Sequence, residues 1–224
     1  MNFFRDFAAS FSYQMQLDIL DILPFVIVLS NVWKIHSSAG ISRHFVGFTC
    51  ASAALSLITS RNVRGCFIAF TKFFLTLILY CSIKFKFPLK SDKFRDPKWT
   101  FLIIPVSLVL SLFAFPREGL KSYLSTVGHW FNAFAVACQV TVTKQSRRIT
   151  LLSGYFVVFI ICKYCTIYLM VNRAFNTSGS EMWYAFLCGA TSMVLSIDLL
   201  YFAYYAKQRI DDFELPSGQF TDFN

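Results

Sequence analysis

An all-α membrane protein of seven transmembrane helices, arranged as two three-helix bundles joined by a linking helix, is the fold class this sequence predicts. Three observations predict it. Of 224 residues, 56 % are hydrophobic and only 15 % are charged, against roughly a quarter charged in a soluble domain. Residues 45–60, 99–116 and 122–143 contain no Asp, Glu, Lys or Arg, and a span needs about 20 mostly apolar residues. Basic residues concentrate in alternate loops, as the orientation of a multi-pass protein requires.

The helices follow in order. The first is expected at about 15–34. Its apolar part, Ile22–Trp33, is short, so the span extends back through Asp21 and Asp18. It is read as retained, because no basic segment directly precedes it and no small-residue cleavage site follows. The second and third are expected at about 44–60 and 65–83, the third broken by Lys72. The segment Lys84–Lys98 is strongly basic, holds Pro88 and Pro97, and divides three helices from four. That division suggests two three-helix units and an extra helix, as internal repeats give many transporters. The remaining helices are expected at about 99–116, 121–143, 149–172 and 182–206, the last two broken by Lys163 and Asp198. Pro24 and Pro105 fall inside spans, where neighbouring helices permit kinks. Loops are short, so residues 1–209 form one membrane domain. Residues 210–224, which end acidic and Gly/Ser/Pro-containing, read as a disordered cytosolic tail.

Charge sets the orientation. With the N-terminus lumenal, the cytosolic loops hold Lys34, Arg43, Lys84, Lys86, Lys90, Lys93, Arg95, Lys98, Lys144, Arg147, Arg148, Lys207 and Arg209. The opposite side holds about half as many: Arg5, Arg61, Arg64, Arg117, Lys121 and Arg173. The C-terminus is therefore expected in the cytosol. The net charge of +9 follows from this topology and from anionic lipid headgroups, and calls for no nucleic acid.

The 7 cysteines lie in or at the ends of spans, where Cys acts as a small hydrophobe. Cys162-x-x-Cys165 matches a redox or zinc pair only superficially, with no second pair or nearby His. No nucleophile elbow, phosphate-binding glycine loop or zinc-protease motif occurs. The chain does not read as an enzyme, and no cofactor or metal is implied. Asn176-Thr177-Ser178 is a glycosylation sequon, but too close to the membrane to expect modification.

Ionisable groups inside spans are functional candidates by default, since each costs at least about 2.5–3.5 kcal/mol. Lys163 stands nine residues before Asn172, about 14 Å along a helix. It reads equally as an anion receiver and as the ion-pair partner of Asp198. Asp18 and Asp21 share a face of helix 1 and either line a cavity or mark the wet lumenal end. Lys72, about 12 Å past Arg64, is expected to snorkel outward. His129, about 10 Å from Ser122, is expected to be buried, as a proton switch or a neutral hydrogen-bonded ring. Arg5, Arg173 and Lys163 would together make a positive cleft suited to an anionic ligand such as a peptide carboxylate.

"WKIHSSAGIS" at Trp33–Ser42 resembles the turn between helices 1 and 2 of the KDEL receptor family, the seven-helix endoplasmic-reticulum retention receptors. "MNFFR" at the start, "KFK" at Lys84–Lys86, "FRDPKWTFLIIP" at Phe94–Pro105, "NAFAVACQV" at Asn132–Val140 and "DLLYFAYYAKQ" at Asp198–Gln208 resemble further pieces in the same order. There are departures. The family's helix 2 Arg-Tyr-x-Asp, which contacts the retrieval peptide, is Ser56-Leu57-Ile58-Thr59 here. The helix 5 Glu becomes Asn132, and the helix 6 Tyr-Arg pair becomes Cys162-Lys163, with Thr166 and Met170 for nearby aromatics. Arg173 and Asp198 match the family's helix 6 Arg and helix 7 Asp. The family's pH-related His aligns with Tyr13 or Asp21.

The resemblance implies a protein of the endoplasmic-reticulum and Golgi membranes. It would bind KDEL- or HDEL-like C-terminal tails of lumenal proteins in the acidic Golgi and return them in coatomer carriers. Lys163, Arg173 and Arg5 would receive the carboxylates, with Asn132 lining the site and Asp198 holding its geometry. His129 or Asp21 would sense pH, and Lys207 and Arg209 would form the cytosolic sorting surface. Two alternatives stand beside this reading. One is a receptor-like trafficking protein without a lumenal ligand. The other is a small-solute transporter of the sugar-transporter or Pro-Gln-loop type, against which the absence of Pro-Gln dipeptides counts.

Overall fold

The computed structural model describes residues 19–34, 36, 38, 41–60, 62–86, 98–113, 119–146, 187–195 and 197. No strand occurs among them. Helix α1 covers residues 19–34. Helix α2 is Arg43–Thr59, α3 is Val63–Cys81 continued by a π-turn at Ser82–Lys86, α4 is Ile103–Phe113 after a 3₁₀ turn at Lys98–Leu102, and α5 is Leu120–Ser146. A further helical stretch covers 187–195. The segments expected as helices at 149–172 and, beyond 197, at 182–206 lie outside the described residues, as does the tail at 210–224.

Local chemistry sets the helix starts. Ser42 caps α2: its backbone is extended and its Oγ accepts from Phe45 N at 3.0 Å, satisfying a donor that the first turn leaves unpaired. Gly119 precedes α5 at φ 89°, a conformation that favours glycine. Pro105, read as lying inside a span where kinks are permitted, is the third residue of α4, which continues directly from the 3₁₀ turn at Lys98–Leu102.

Each helix turns one stripe inward. On α1 the stripe is Asp21, Phe25, Val28 and Val32; on α3 it is Lys72, Thr76, Leu79 and Ile83. Both follow helical spacing. The apolar members join Phe45 and Val46 of α2, Ile103 of α4, and Val136 and Val140 of α5 in one core. Helix α2 packs on both α3 and α5, and α4 packs on α5.

Specific contacts fix the directions. Asp21 meets Lys72 and Trp33 meets Ser82, so α1 and α3 run parallel. Ser42 meets Gln139 and Phe48 meets Phe131, so α2 and α5 run antiparallel. His44, at the start of α2, bonds Thr100, just before α4. One end of the assembly therefore gathers Trp33, Lys34, Arg43, Lys84, Lys86 and Lys98.

Helix α4 buries polar residues and exposes apolar ones. Ser107 and Ser111 of α4 are fully buried, while Val109 and Leu112 on the same helix are 50 % and 61 % exposed. On α3, Phe67, Phe70 and Phe74 face outward. Val63–Lys86 is long and apolar enough to cross a membrane by length and composition.

Gly128 sets the α2–α5 distance. A Cβ there would stand 3.4 Å from both Leu55 Cβ and Ser52 O, the close approach that small residues allow.

Candidate functional site

Three polar features interrupt the core. The first joins α1 to α3. Lys72 Nζ donates to both Asp21 carboxylate oxygens, at 2.8 and 2.6 Å, and stands 5.8 Å from the Phe25 ring centroid. Lys72 is 8 % exposed, so the expectation that it snorkels outward is corrected. The reason is depth. Asp21 precedes Trp33 by about 18 Å and Lys72 precedes Ser82 by about 15 Å. With α1 and α3 parallel and tied at Trp33–Ser82, the two charges stand level. That match of depth is the sequence signal that could have found the pair. Asp21, a candidate pH sensor, thus has a fixed cation beside it.

The second feature lies on α5. Asn132 stands one turn after Gly128 and so on the helix face turned toward α2. Its Oδ1 is buried and has no hydrogen-bond partner. Its amide can rotate by half a turn, so the group offers either an acceptor or a donor. Trp130, which sequence reasoning did not single out, is in the same condition: Nε1 is buried without a partner, and the ring stacks on Phe134 at 5.5 Å. Two residues apart, Asn132 and Trp130 point to different sides of α5. An unpaired buried polar group costs about 1–3 kcal/mol, so each calls for a reason. His129 was expected to be buried but is exposed. It stands about 100° around the helix from Gly128, which faces α2, so the packing that buries Gly128 leaves His129 outside.

The third feature ties the helix ends together. Ser42 N donates to Gln139 Oε1 at 2.8 Å, with both residues buried. Gln139 Nε2 in turn donates to Thr143 Oγ1 at 3.2 Å, and Thr143 Oγ1 donates to Gln139 O at 2.9 Å. The turn before α2 is thereby bonded into α5.

On α2, the hydroxyls of Ser56 and Thr59 bond back to their own helix. Ser56 Oγ donates to Ser52 O at 3.0 Å, and Thr59 Oγ1 to Leu55 O at 2.9 Å. These side chains are spent within α2. Arg5, Lys163, Arg173, Asp198, Lys207 and Arg209 lie outside the described residues. So do Cys162 and Cys165; Cys50, Cys66, Cys81, Cys138 and Cys188 are free thiols.

The family model described as "ER lumen protein retaining receptor" matches residues 37–169, more than half of the sequence. The match runs from the turn before α2 through all of α5, and so includes Gly128, Asn132 and Gln139. No curated protein matches the chain.

Proposed function

The chain belongs to the ER lumen protein retaining receptor family, and on that premise we propose that it is a multi-pass receptor for C-terminal retrieval tails of lumenal proteins. The tails are of the KDEL or HDEL class, bound in the Golgi and released in the endoplasmic reticulum. Outward-facing Phe on α3, and Ser inside with Val and Leu outside on α4, support membrane residence, since such surfaces suit lipid. Seven spans with the N-terminus lumenal, the basic helix ends cytosolic and a coatomer-facing surface at Lys207 and Arg209 complete this reading.

The observation that carries the ligand site is the orphaned Asn132 Oδ1 within the matched region. A buried amide oxygen without a partner is what a site lacking its ligand retains. Arg5, Lys163 and Arg173 supply the positive charge for the tail's carboxylates, and Asp198 positions them. Because Ser56 and Thr59 bond within α2, that helix offers no cation there. The preferred tail should accordingly carry fewer acidic contacts to α2.

The test is binding of a panel of labelled C-terminal tetrapeptides to the purified protein at about pH 5.5 and 7.4, bracketing histidine titration. Carboxylate-dependent binding that is stronger at the lower pH and lost in Lys163→Ala supports the receptor. Absence of binding to every tail at both pH values overturns it in favour of a ligand-less relative or a transporter. Flattening of the pH dependence in His129→Asn assigns the sensor to His129; an unaltered profile removes His129 from that role.

A further inference from the structure

We infer that Asn132 selects a retrieval tail carrying a side-chain carboxamide, Asn or Gln, where the KDEL tail has an acidic residue. This rests on the receptor reading, in which Arg5, Lys163 and Arg173 still receive the C-terminal carboxylate. Asn132 Oδ1 is buried and has no hydrogen-bond partner, although an amide oxygen has two lone pairs to offer. The residue stands one turn from Gly128, whose added Cβ would lie 3.4 Å from Ser52 O of α2. Its chain neighbour Phe131 packs on Phe48, with ring centroids 5.7 Å apart. Asn132 is therefore level with Phe48 and Thr49 of α2.

The polar groups of α2 present oxygens rather than protons. Thr49, Ser52, Ser56 and Thr59 follow at steps of three, four and three residues and so form one stripe along the helix. Thr49 Oγ1 donates to Phe45 O at 2.8 Å, Ser56 Oγ to Ser52 O at 3.0 Å and Thr59 Oγ1 to Leu55 O at 2.9 Å. With those hydrogens engaged, the three hydroxyls have only lone pairs left. An ionised Asp or Glu side chain is acceptor-only, so it would gain nothing from these oxygens and would set its charge against Asn132 Oδ1. A lysine ammonium would donate, but residues 45–60 of α2 and 122–143 of α5 hold no Asp or Glu to balance it, and an ammonium inside a span is disfavoured. A carboxamide meets both conditions. Its N–H donates to Oδ1 while its oxygen accepts from the Asn132 amide, so one neutral pair closes two bonds. A site that hydrogen-bonds its ligand in this way rejects the analogue that leaves a buried group unpaired.

The experiment uses the full chain in neutral detergent at about pH 5.5, below the histidine range. Three labelled tetrapeptides with free C-termini are compared: Lys-Asp-Glu-Leu, Lys-Asn-Glu-Leu and Lys-Asp-Gln-Leu. One of the two amide tails is expected to bind about tenfold more tightly than the acid tail, the effect of one buried group gaining its partner. In Asn132→Leu the acid and amide tails should bind alike, within about twofold. Asn132→Ala should behave in the same way, so that a packing defect in one variant does not decide the result. Thermal unfolding of each variant confirms an intact fold. Equal binding of acid and amide tails by the parent overturns the inference and leaves the receptor reading standing. An amide preference that survives in both variants overturns it as well, because another group would then read the amide. Absence of binding to every tail overturns the receptor reading and this inference together.

Discussion

Asp21 on α1 and Lys72 on α3, 51 residues apart in the chain, form a charge pair in which one ammonium serves both carboxylate oxygens, at 2.8 and 2.6 Å. The side chains are 32 % and 9 % exposed. The Lys72 ammonium is buried, and a buried ammonium between helices needs a carboxylate such as this one. Loss of one partner should therefore hurt more than loss of both.

Asp21→Asn is expected to lower stability by about 3 kcal/mol, because it leaves the buried Lys72 ammonium without this carboxylate, and Lys72→Met by less, because Asp21 is 32 % exposed. The double substitution should recover a large part of that loss. Thermal unfolding of the four proteins in one detergent forms the cycle. Strictly additive effects would mean that the two charges do not interact.

The Ser42 cap joins α2 to α5 through a different kind of contact. Gln139→Leu removes the acceptor from the buried Ser42 N–H and should cost about 1–3 kcal/mol. Ser42→Ala removes the bond that Phe45 N donates to Oγ and should cost about 1 kcal/mol. Denaturation midpoints of the two variants give the order; a smaller effect for Gln139→Leu would argue against the interhelical bond.

Gly128 allows α2 and α5 to touch, with 3.4 Å to Ser52 O and Leu55 Cβ for an added Cβ. Gly128→Ala should be tolerated with a small shift of Leu55. Gly128→Val should force the helices apart, at about 1–3 kcal/mol for overpacking. Stability of the two variants relative to the parent decides this, and equal tolerance of Val would show that the helices are not held at that distance.

Asn132 separates stability from binding. Its orphaned Oδ1 is a burden to the empty fold, so Asn132→Leu should leave stability unchanged or raise it by about 1 kcal/mol. The same substitution should weaken tetrapeptide binding, since a site that hydrogen-bonds its ligand loses that bond. A variant that is both less stable and fully competent in binding would place Asn132 in the structural framework instead.

Several features are legible along the chain because they are local. The deficit of charge and the uncharged runs foretell outward-facing Phe67, Phe70 and Phe74. The all-helical class follows from the same runs. The family resemblance, carried by the turn at Trp33–Ser42, agrees with the match over residues 37–169.

Which helices are neighbours, and how each is rotated, is not written in any local window. Lys72 reads as a snorkelling lysine until α1 is placed parallel to α3, and Gln139 reads as a polar residue in an apolar helix until the Ser42 N–H, 97 residues away, is set against it. His129 is exposed and Asn132 half-buried although they are three residues apart on one helix, because the close contact at Gly128 fixes which side of α5 meets α2. The sequence by itself determined the helical class and the uncharged apolar runs, since these arise from composition and spacing. Only the tertiary structure decided which charges pair, which polar atoms are left without partners, and that Trp33 and Lys86 share one surface, because those depend on the packing of segments distant in the chain.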